Sequence, residues 1–159
     1  MSNKYMLAVA RPSQVEDICK LAIKAFQEGP EDSSHLSVAK VRGVVASIVK
    51  DSHQLSVVAM VEGKPKGLIL GHVDEHAYCD GLVASDLCIY VAPSLRGTDA
   101  AKDLVKVYAD WCGRIPNLIG STLGVSKINH TTPYMEKLFR DNGYSKSGLT
   151  YIKTGHPNV

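Results

Sequence analysis

Along the chain the spacing of apolar positions switches between a period of about 3.6 and a period of two, and the switches mark the elements. Residues Tyr5–Ala10 form a short apolar run closed by Arg11-Pro12. Ser13 reads as an N-cap with Glu16 three residues on, the spacing of a capping box. Val15, Ile18, Cys19, Ala22, Ala25 and Phe26 then recur at intervals of three and four, which predicts an amphipathic helix stopped by Gly29-Pro30. After a polar loop at Glu31–Ser34, a second helix is predicted from Ser37 to Lys50, with Val38, Val41, Val45, Ile48 and Val49 on its stripe. Leu55–Val61 and Lys66–Asp74 read as strands joined by the turn Glu62-Gly63-Lys64-Pro65, with Gly71 marking a bulge. Leu82–Ala92 is the third strand of an antiparallel meander. Alternation puts Leu87, Ile89 and Val91 on one face of it and Asp86, Cys88 and Tyr90 on the other.

The helical period returns at Thr98–Cys112, where Ala101, Leu104, Val105, Tyr108, Trp111 and Cys112 share a face and Gly113 is the stop. Leu118–Val125 predicts another strand. Thr132-Pro133 opens a last helix that ends near Asn142-Gly143. Tyr144–Lys146 and Leu149–Thr154 predict a terminal hairpin. No repeat or linker interrupts residues 1–159. The expectation is one α/β (α+β) domain, a mixed and mostly antiparallel central sheet flanked by about four helices.

Composition narrows the function classes. A hydrophobic content of 45% and a charged content of 21% suit a soluble globular domain with a real core. A net charge of +2 without a block of like charges gives no reason to expect nucleic acid. No signal-peptide pattern and no apolar run near the roughly 20 residues of a membrane helix are found, so a cytoplasmic protein without a membrane partner is expected. Cys19, Cys79, Cys88 and Cys112 form no C-x-x-C pair, which fits dispersed thiols in a reducing compartment better than zinc or redox chemistry. His72 and His76 have a metal-like spacing but no third ligand at a sensible distance, so no metal is expected. Dinucleotide, P-loop and nucleophile-elbow glycine motifs are absent.

The stretch Val91-Ala92-Pro93-Ser94-Leu95-Arg96-Gly97-Thr98-Asp99-Ala100-Ala101 joins a strand to a helix through a basic turn. The first amides of a helix have no internal partner, so this order builds an anion pocket. Val91-Ala92-Pro93 with Arg96-Gly97 resembles the V-x-P-x-x-R-G lead into the acyl-CoA loop of the GNAT N-acetyltransferases. Two further patterns add to the likeness. Asn129 follows the Leu118–Val125 strand, and Leu138–Tyr144 resembles the family's L-Y-x-x-x-G-F ending. The order of elements is similar over nearly the whole chain.

That resemblance implies a fold in which the fourth and fifth strands splay apart around the pantetheine arm of acetyl-CoA. Ile89 and Val91 would offer backbone groups to the arm. Arg96, Gly97, Thr98, Asp99, Ala100 and Ala101 would wrap the pyrophosphate, and Asn129 and Phe139 would touch the cofactor. His76 and Tyr78 would line the acceptor mouth. The implied activity is transfer of an acetyl group to a primary amine by direct attack. The acceptor would be a small molecule or a protein amine, and the enzyme a monomer or homodimer. An amine with a pKa near 10.4 must lose a proton before attacking, and Asp86 is the carboxylate placed to take it. The other reading of Asp86 is a solvated residue at the start of a strand.

Three positions depart from the family pattern. Cys88 stands where the family commonly has its acidic base, and Asp86 lies two residues earlier. Asp99 stands where a glycine is usual. Turned inward it would compete with the diphosphate for the amides; turned outward it would be a helix-start residue. Phe139 stands where a tyrosine usually protonates the leaving thiolate, and Tyr134 is the nearest hydroxyl in sequence. Asp99 and Phe139 motivate an alternative: a catalytically silent binding or interaction protein of the same fold.

Overall fold

The computed structural model describes residues 4–125 and 132–151. Strand β1 (Met6–Val9) leads into helices α1 (Val15–Glu28) and α2 (Val38–Lys50). Strands β2 (Leu55–Val61), β3 (Lys64–Glu75) and β4 (Leu82–Val91) form the meander, followed by α3 (Ala100–Cys112), β5 (Leu118–Thr122) and α4 (Thr132–Asp141). The five strands make one sheet in the order β1-β2-β3-β4-β5. The first four are antiparallel neighbours, and β5 runs parallel to β4 because α3 carries the chain back across the sheet.

Each face of the sheet is covered, which explains the apolar runs in the middle strands. On one face Ile18, Cys19 and Leu21 of α1 and Val45 and Ile48 of α2 pack against Val58, Leu68, Leu70 and Tyr90. On the other, Leu104, Tyr108 and Cys112 of α3 pack against Leu55, Val57, Ile69 and Ala84. The Tyr108 hydroxyl is buried with the ring and donates to the Thr122 carbonyl at 2.8 Å, tying α3 to β5.

The bulge expected at Gly71 is present, and it changes the face that Asp86 occupies. Leu70 pairs with Cys88 but Gly71 pairs with Asp86, so Leu87 is an extra residue in β4. Directly opposed residues share a face. Leu70 and Cys88 belong to the α1–α2 side. A Cβ on Gly71 would lie 3.1 Å from Tyr108 Cε2, so Gly71 and its partner Asp86 belong to the α3 side. Asp86 and Cys88 therefore do not share a face, contrary to simple alternation, because the inserted residue reverses the phase.

Other expectations are corrected at element ends. Ser13 is not the cap of α1. Pro12 presets a 3-10 turn over Pro12–Gln14, and the Arg11 N–H donates to Gln14 Oε1 at 2.8 Å. The strand predicted to Val125 stops at Thr122, where its pairing with β4 ends at Ser85. Residues 144–151 form no strand and so no hairpin with one another. Gly143 turns at φ +88°, and the Tyr144 N–H returns to the Phe139 carbonyl at 3.0 Å, so the backbone there closes the end of α4.

Candidate functional site

A groove opens where β4 and β5 part. Their pairing covers Ala84 with Ser121 and Ser85 with Thr122 and goes no further. Past that point Asp86–Val91 form one wall and Leu123–Val125 the other, and the groove continues past Arg96–Asp99 and along α1 and α2. It encloses about 2380 Å³.

At one end lies the start of α3. Gly97 turns at φ +83°, a conformation that favours glycine, with nothing within 4 Å of a Cβ placed there. Thr98 Oγ1 donates to the Leu95 carbonyl at 2.7 Å and accepts the Ala100 N–H at 3.2 Å, so Thr98 supplies the side-chain cap. The Asp99 carboxylate makes no cap hydrogen bond; only its carbonyl is used, by the Asp103 N–H at 2.9 Å. The amides of Thr98, Asp99, Ala101 and Lys102 have no hydrogen-bond partner among the described residues. Bare amides at a helix start attract an anion, and the helix dipole adds to them.

Arg96 holds this turn to the rest of the fold. Its Nε donates to the Val91 carbonyl at 3.0 Å and its terminal nitrogen to Glu28 Oε2 at 2.6 Å. The Tyr90 hydroxyl donates to Glu28 Oε1 at 2.6 Å, and the guanidinium lies 5.6 Å over the Tyr90 ring. Burial acts to raise the Glu28 pKa, but the hydrogen bonds from Tyr90 and Arg96 prevail and hold it below the usual range. Burial, with the bond to Glu28, pushes the Tyr90 hydroxyl up to about 12. Sequence reading reached Arg96 but not Glu28, which lies 68 residues earlier and looks like an ordinary helix-end carboxylate.

At the point of divergence stands Asp86. The Gly124 N–H donates to its Oδ1 at 2.9 Å, so the side chain spans the opening between the strands. The backbone N–H of Asp86 itself also favours the charged carboxylate. Burial raises the Asp86 pKa, with the Gly124 hydrogen bond acting against it. Beside it the Tyr144 hydroxyl lies 2.9 Å from Ser121 Oγ. Burial raises the Tyr144 pKa against the Ser121 hydrogen bond, which lowers it, and Cys112 and then Asp86 add to the rise, so the phenol keeps its proton at neutral pH. Tyr134 also lines the groove but is half exposed and stands near Tyr5, whose hydroxyl donates to Asp103 in the first turn of α3. Tyr108 and Tyr144 both feel the Asp86 charge, and of the two Tyr144, visible in the sequence only as the last residue of the Leu138–Tyr144 pattern, lines the groove.

The remaining expected residues divide. Ile89 and Val91 line the groove, though Arg96 already holds the Val91 carbonyl. Ala101 reaches the groove, while Ala100 and Phe139 turn into the core. His76 and Tyr78 do not reach it. They sit in the β3–β4 loop, where His76 Nδ1 accepts the N–H groups of Tyr78 and Cys79 at 3.1 and 2.9 Å and so shapes the turn. Asn129 lies outside the described residues. Among the described residues no three His, Cys, Asp or Glu side chains are grouped to hold a metal, and no helix is long and apolar enough to cross a membrane.

The family described as "Acetyltransferase (GNAT) family" matches residues 15–144. No curated protein sequence matches the chain. Among solved structures, a possible acetyltransferase from Clostridium difficile 630 is 18% identical, with 96% of this chain and 99% of that one covered and a TM-score of 0.71. The aminoglycoside N-acetyltransferase AAC(6')-Iy in complex with CoA is 17% identical, with 99% of each chain covered and a TM-score of 0.67. The ribosomal-protein-alanine N-acetyltransferase of Brucella melitensis biovar Abortus 2308 is 15% identical, with 94% and 99% covered and a TM-score of 0.65. At these identities the likeness is one of fold.

Proposed function

The chain belongs to the acetyltransferase (GNAT) family, and from that premise we propose that it transfers an acetyl group from acetyl-CoA to a primary amine by direct attack. The observation that carries the reading is a groove between diverging strands that ends on the unpartnered amides of an α-helix. The thioester supplies the acyl group and a thiolate leaving group. The amides of Thr98, Asp99, Ala101 and Lys102 hold the diphosphate, with Arg96 fixing the turn and Gly97 giving it its shape. Ile89 and Val91 line the path of the pantetheine arm, with Asn129 and Tyr134 as further contacts.

The Asp86 carboxylate receives a proton from the incoming ammonium. The amine nitrogen then bonds to the acyl carbon and the carbon–sulfur bond breaks, leaving its electron pair on sulfur. The nitrogen's surplus proton passes to the sulfur by way of the Tyr144–Ser121 hydroxyl pair, and Asp86 returns its proton to solvent. Phe139 has no part in this beyond packing. Because the Asp99 carboxylate does not cap the helix amides, they stay available to the ligand, which favours a live transferase over a silent binding module.

Thermal denaturation with and without acetyl-CoA tests the binding half. A ligand at 100 times its dissociation constant adds about 2.7 kcal/mol. Acetyl-CoA raises the melting temperature of the native protein; an absent shift that appears in Asp99→Gly would instead identify a fold that has lost its cofactor. N-acetyl product detected by mass spectrometry tests the other half.

A further inference from the structure

Resting on the transferase reading, we infer that Tyr5 is a positioning residue for the cofactor: its hydroxyl holds the Asp103 carboxylate out of the groove, away from the amides that take the diphosphate. Tyr5 precedes β1 and lies 98 residues from Asp103 in sequence. Its ring nevertheless packs on the cluster of Ala59, Leu95 and Ala100, and the last two flank the turn with the bare amides. Its hydroxyl donates to Asp103 Oδ2. Tyr5 lines the groove and Asp103 does not, so the phenol stands on the groove side of the carboxylate. Asp103 forms no ion pair among the described residues, which leaves this hydrogen bond as the contact that fixes it. Burial and the bond to Asp103 raise the Tyr5 pKa, so the hydroxyl remains a donor at neutral pH.

Charge explains why such a hold is needed. Helical side chains lean toward the N-terminus of their helix, so a released Asp103 carboxylate leans back over the turn that precedes α3. Asp99, four residues earlier and so on the same face, already lines the groove with a carboxylate that makes no cap bond. The Tyr5 hydroxyl is close enough to feel both charges. A second free carboxylate beside the first meets the diphosphate with the same sign. Arg96, in the same turn, is already paired with Glu28, and Lys102, the cation of the first helical turn, is exposed and outside the groove wall. The site thus tolerates Asp99 and depends on Tyr5 to keep Asp103 from joining it.

Calorimetric titration with acetyl-CoA decides the matter in the native protein, Tyr5→Phe, Asp103→Asn and the double variant. Tyr5→Phe keeps the packed ring and loses the hydroxyl. Its affinity falls by about tenfold, the scale of one like charge brought near a partly solvated anion. Asp103→Asn keeps an oxygen for the phenol and binds acetyl-CoA as well as the native protein or better. In the double variant the charge is gone, and affinity returns to within about twofold of native, the usual scatter of independent substitutions. The Tyr5→Phe defect also shrinks between about 0.01 and 1 M salt, as the screening length drops from roughly 30 to 3 Å. A hydroxyl that merely braces the fold predicts otherwise, namely a loss that salt does not touch and Asp103→Asn does not rescue. Native affinity in Tyr5→Phe, a double variant no better than Tyr5→Phe, or a salt-independent loss each overturns the inference. Should Tyr5→Phe fail to fold by circular dichroism, Asp103→Asn decides alone, and weakened binding there overturns it. If the native protein binds no acetyl-CoA, the transferase reading fails by itself. The same series with inorganic pyrophosphate then decides the turn: binding that Tyr5→Phe weakens and the double variant regains keeps the inference, and no binding ends it.

Discussion

Burial holds the Asp86 carboxyl above the ordinary aspartate range, with the Gly124 N–H acting against that shift. A carboxyl with a raised pKa stays protonated, and so unable to take a proton, to a higher pH than an exposed aspartate near 3.9. The acid limb of kcat/KM therefore lies above that value in the native enzyme. Asp86→Asn keeps an oxygen for the Gly124 N–H, lowers turnover by about 10²–10⁴-fold, and removes the limb. The stability effect has the opposite sign. A carboxyl whose folded pKa is raised favours the fold while protonated, and that contribution is lost as pH rises through the folded value. At pH 7 Asp86→Asn thus melts higher than the native protein. A lower melting temperature, or a limb that survives the substitution, would remove Asp86 from the role of base. The thiols differ as sharply. Burial pushes Cys88 up to about 12, with Asp86 adding to the shift, and Cys19 and Cys112 are buried, whereas Cys79 is exposed. Iodoacetamide at neutral pH followed by peptide mass mapping finds Cys79 alkylated first and Cys88 protected.

At the scale of elements the site depends on how β4 is held near its middle and at its far end. Near its middle, Gly71 of β3 gives Tyr108 room to reach Thr122 and sets the bulge that turns Asp86 toward the α3 side. A methyl group there meets Tyr108 and Trp111 at 3.1 and 3.3 Å, and Tyr108 is fully buried and cannot swing away. Gly71→Ala costs about 1–3 kcal/mol through overpacking, a fall of roughly 2–4 °C per kcal/mol in a domain of this size. An unchanged melt would show that the β3–α3 contact is looser than described. At the far end of β4, Glu28 joins the end of α1 to Tyr90 and to Arg96 of the turn. Its pKa is lowered because the two hydrogen bonds prevail over burial, so the stability it confers is present above the unfolded carboxylate value, near 4.3, and is lost as pH falls through the lower folded value. Glu28→Gln is therefore less stable than the native protein at pH 7, and the gap closes toward pH 3, measured by urea unfolding at both pH values. The same variant loosens the Arg96 turn and weakens the acetyl-CoA-induced thermal shift.

Over the whole molecule, the order of elements was legible because each switch of hydrophobic period is a local property, and the meander, the α3 stripe and the helix stops at Gly29 and Gly113 all lie within a few residues of their causes. The strand, turn and helix start from Val91 to Ala101 were legible for the same reason, since they are contiguous. What the sequence could not express is anything that joins distant segments or depends on phase. The extra residue Leu87 reverses which face Asp86 occupies, and that phase is fixed only by pairing with Gly71 and Leu70. The partnership of Glu28 with Arg96, the meeting of Tyr144 and Ser121, and the removal of Phe139 into the core each come from packing α1, α3 and α4 onto the sheet. His76 and Tyr78 looked close to the site because they precede β4, yet a strand carries its two ends apart, and the groove opens at the other one. Local periodicity thus determined the elements and the turn that leads into α3. Tertiary packing alone decided which carboxylate, which tyrosine and which apolar wall stand around the opening, because those contacts span dozens of residues and no short-range pattern encodes them.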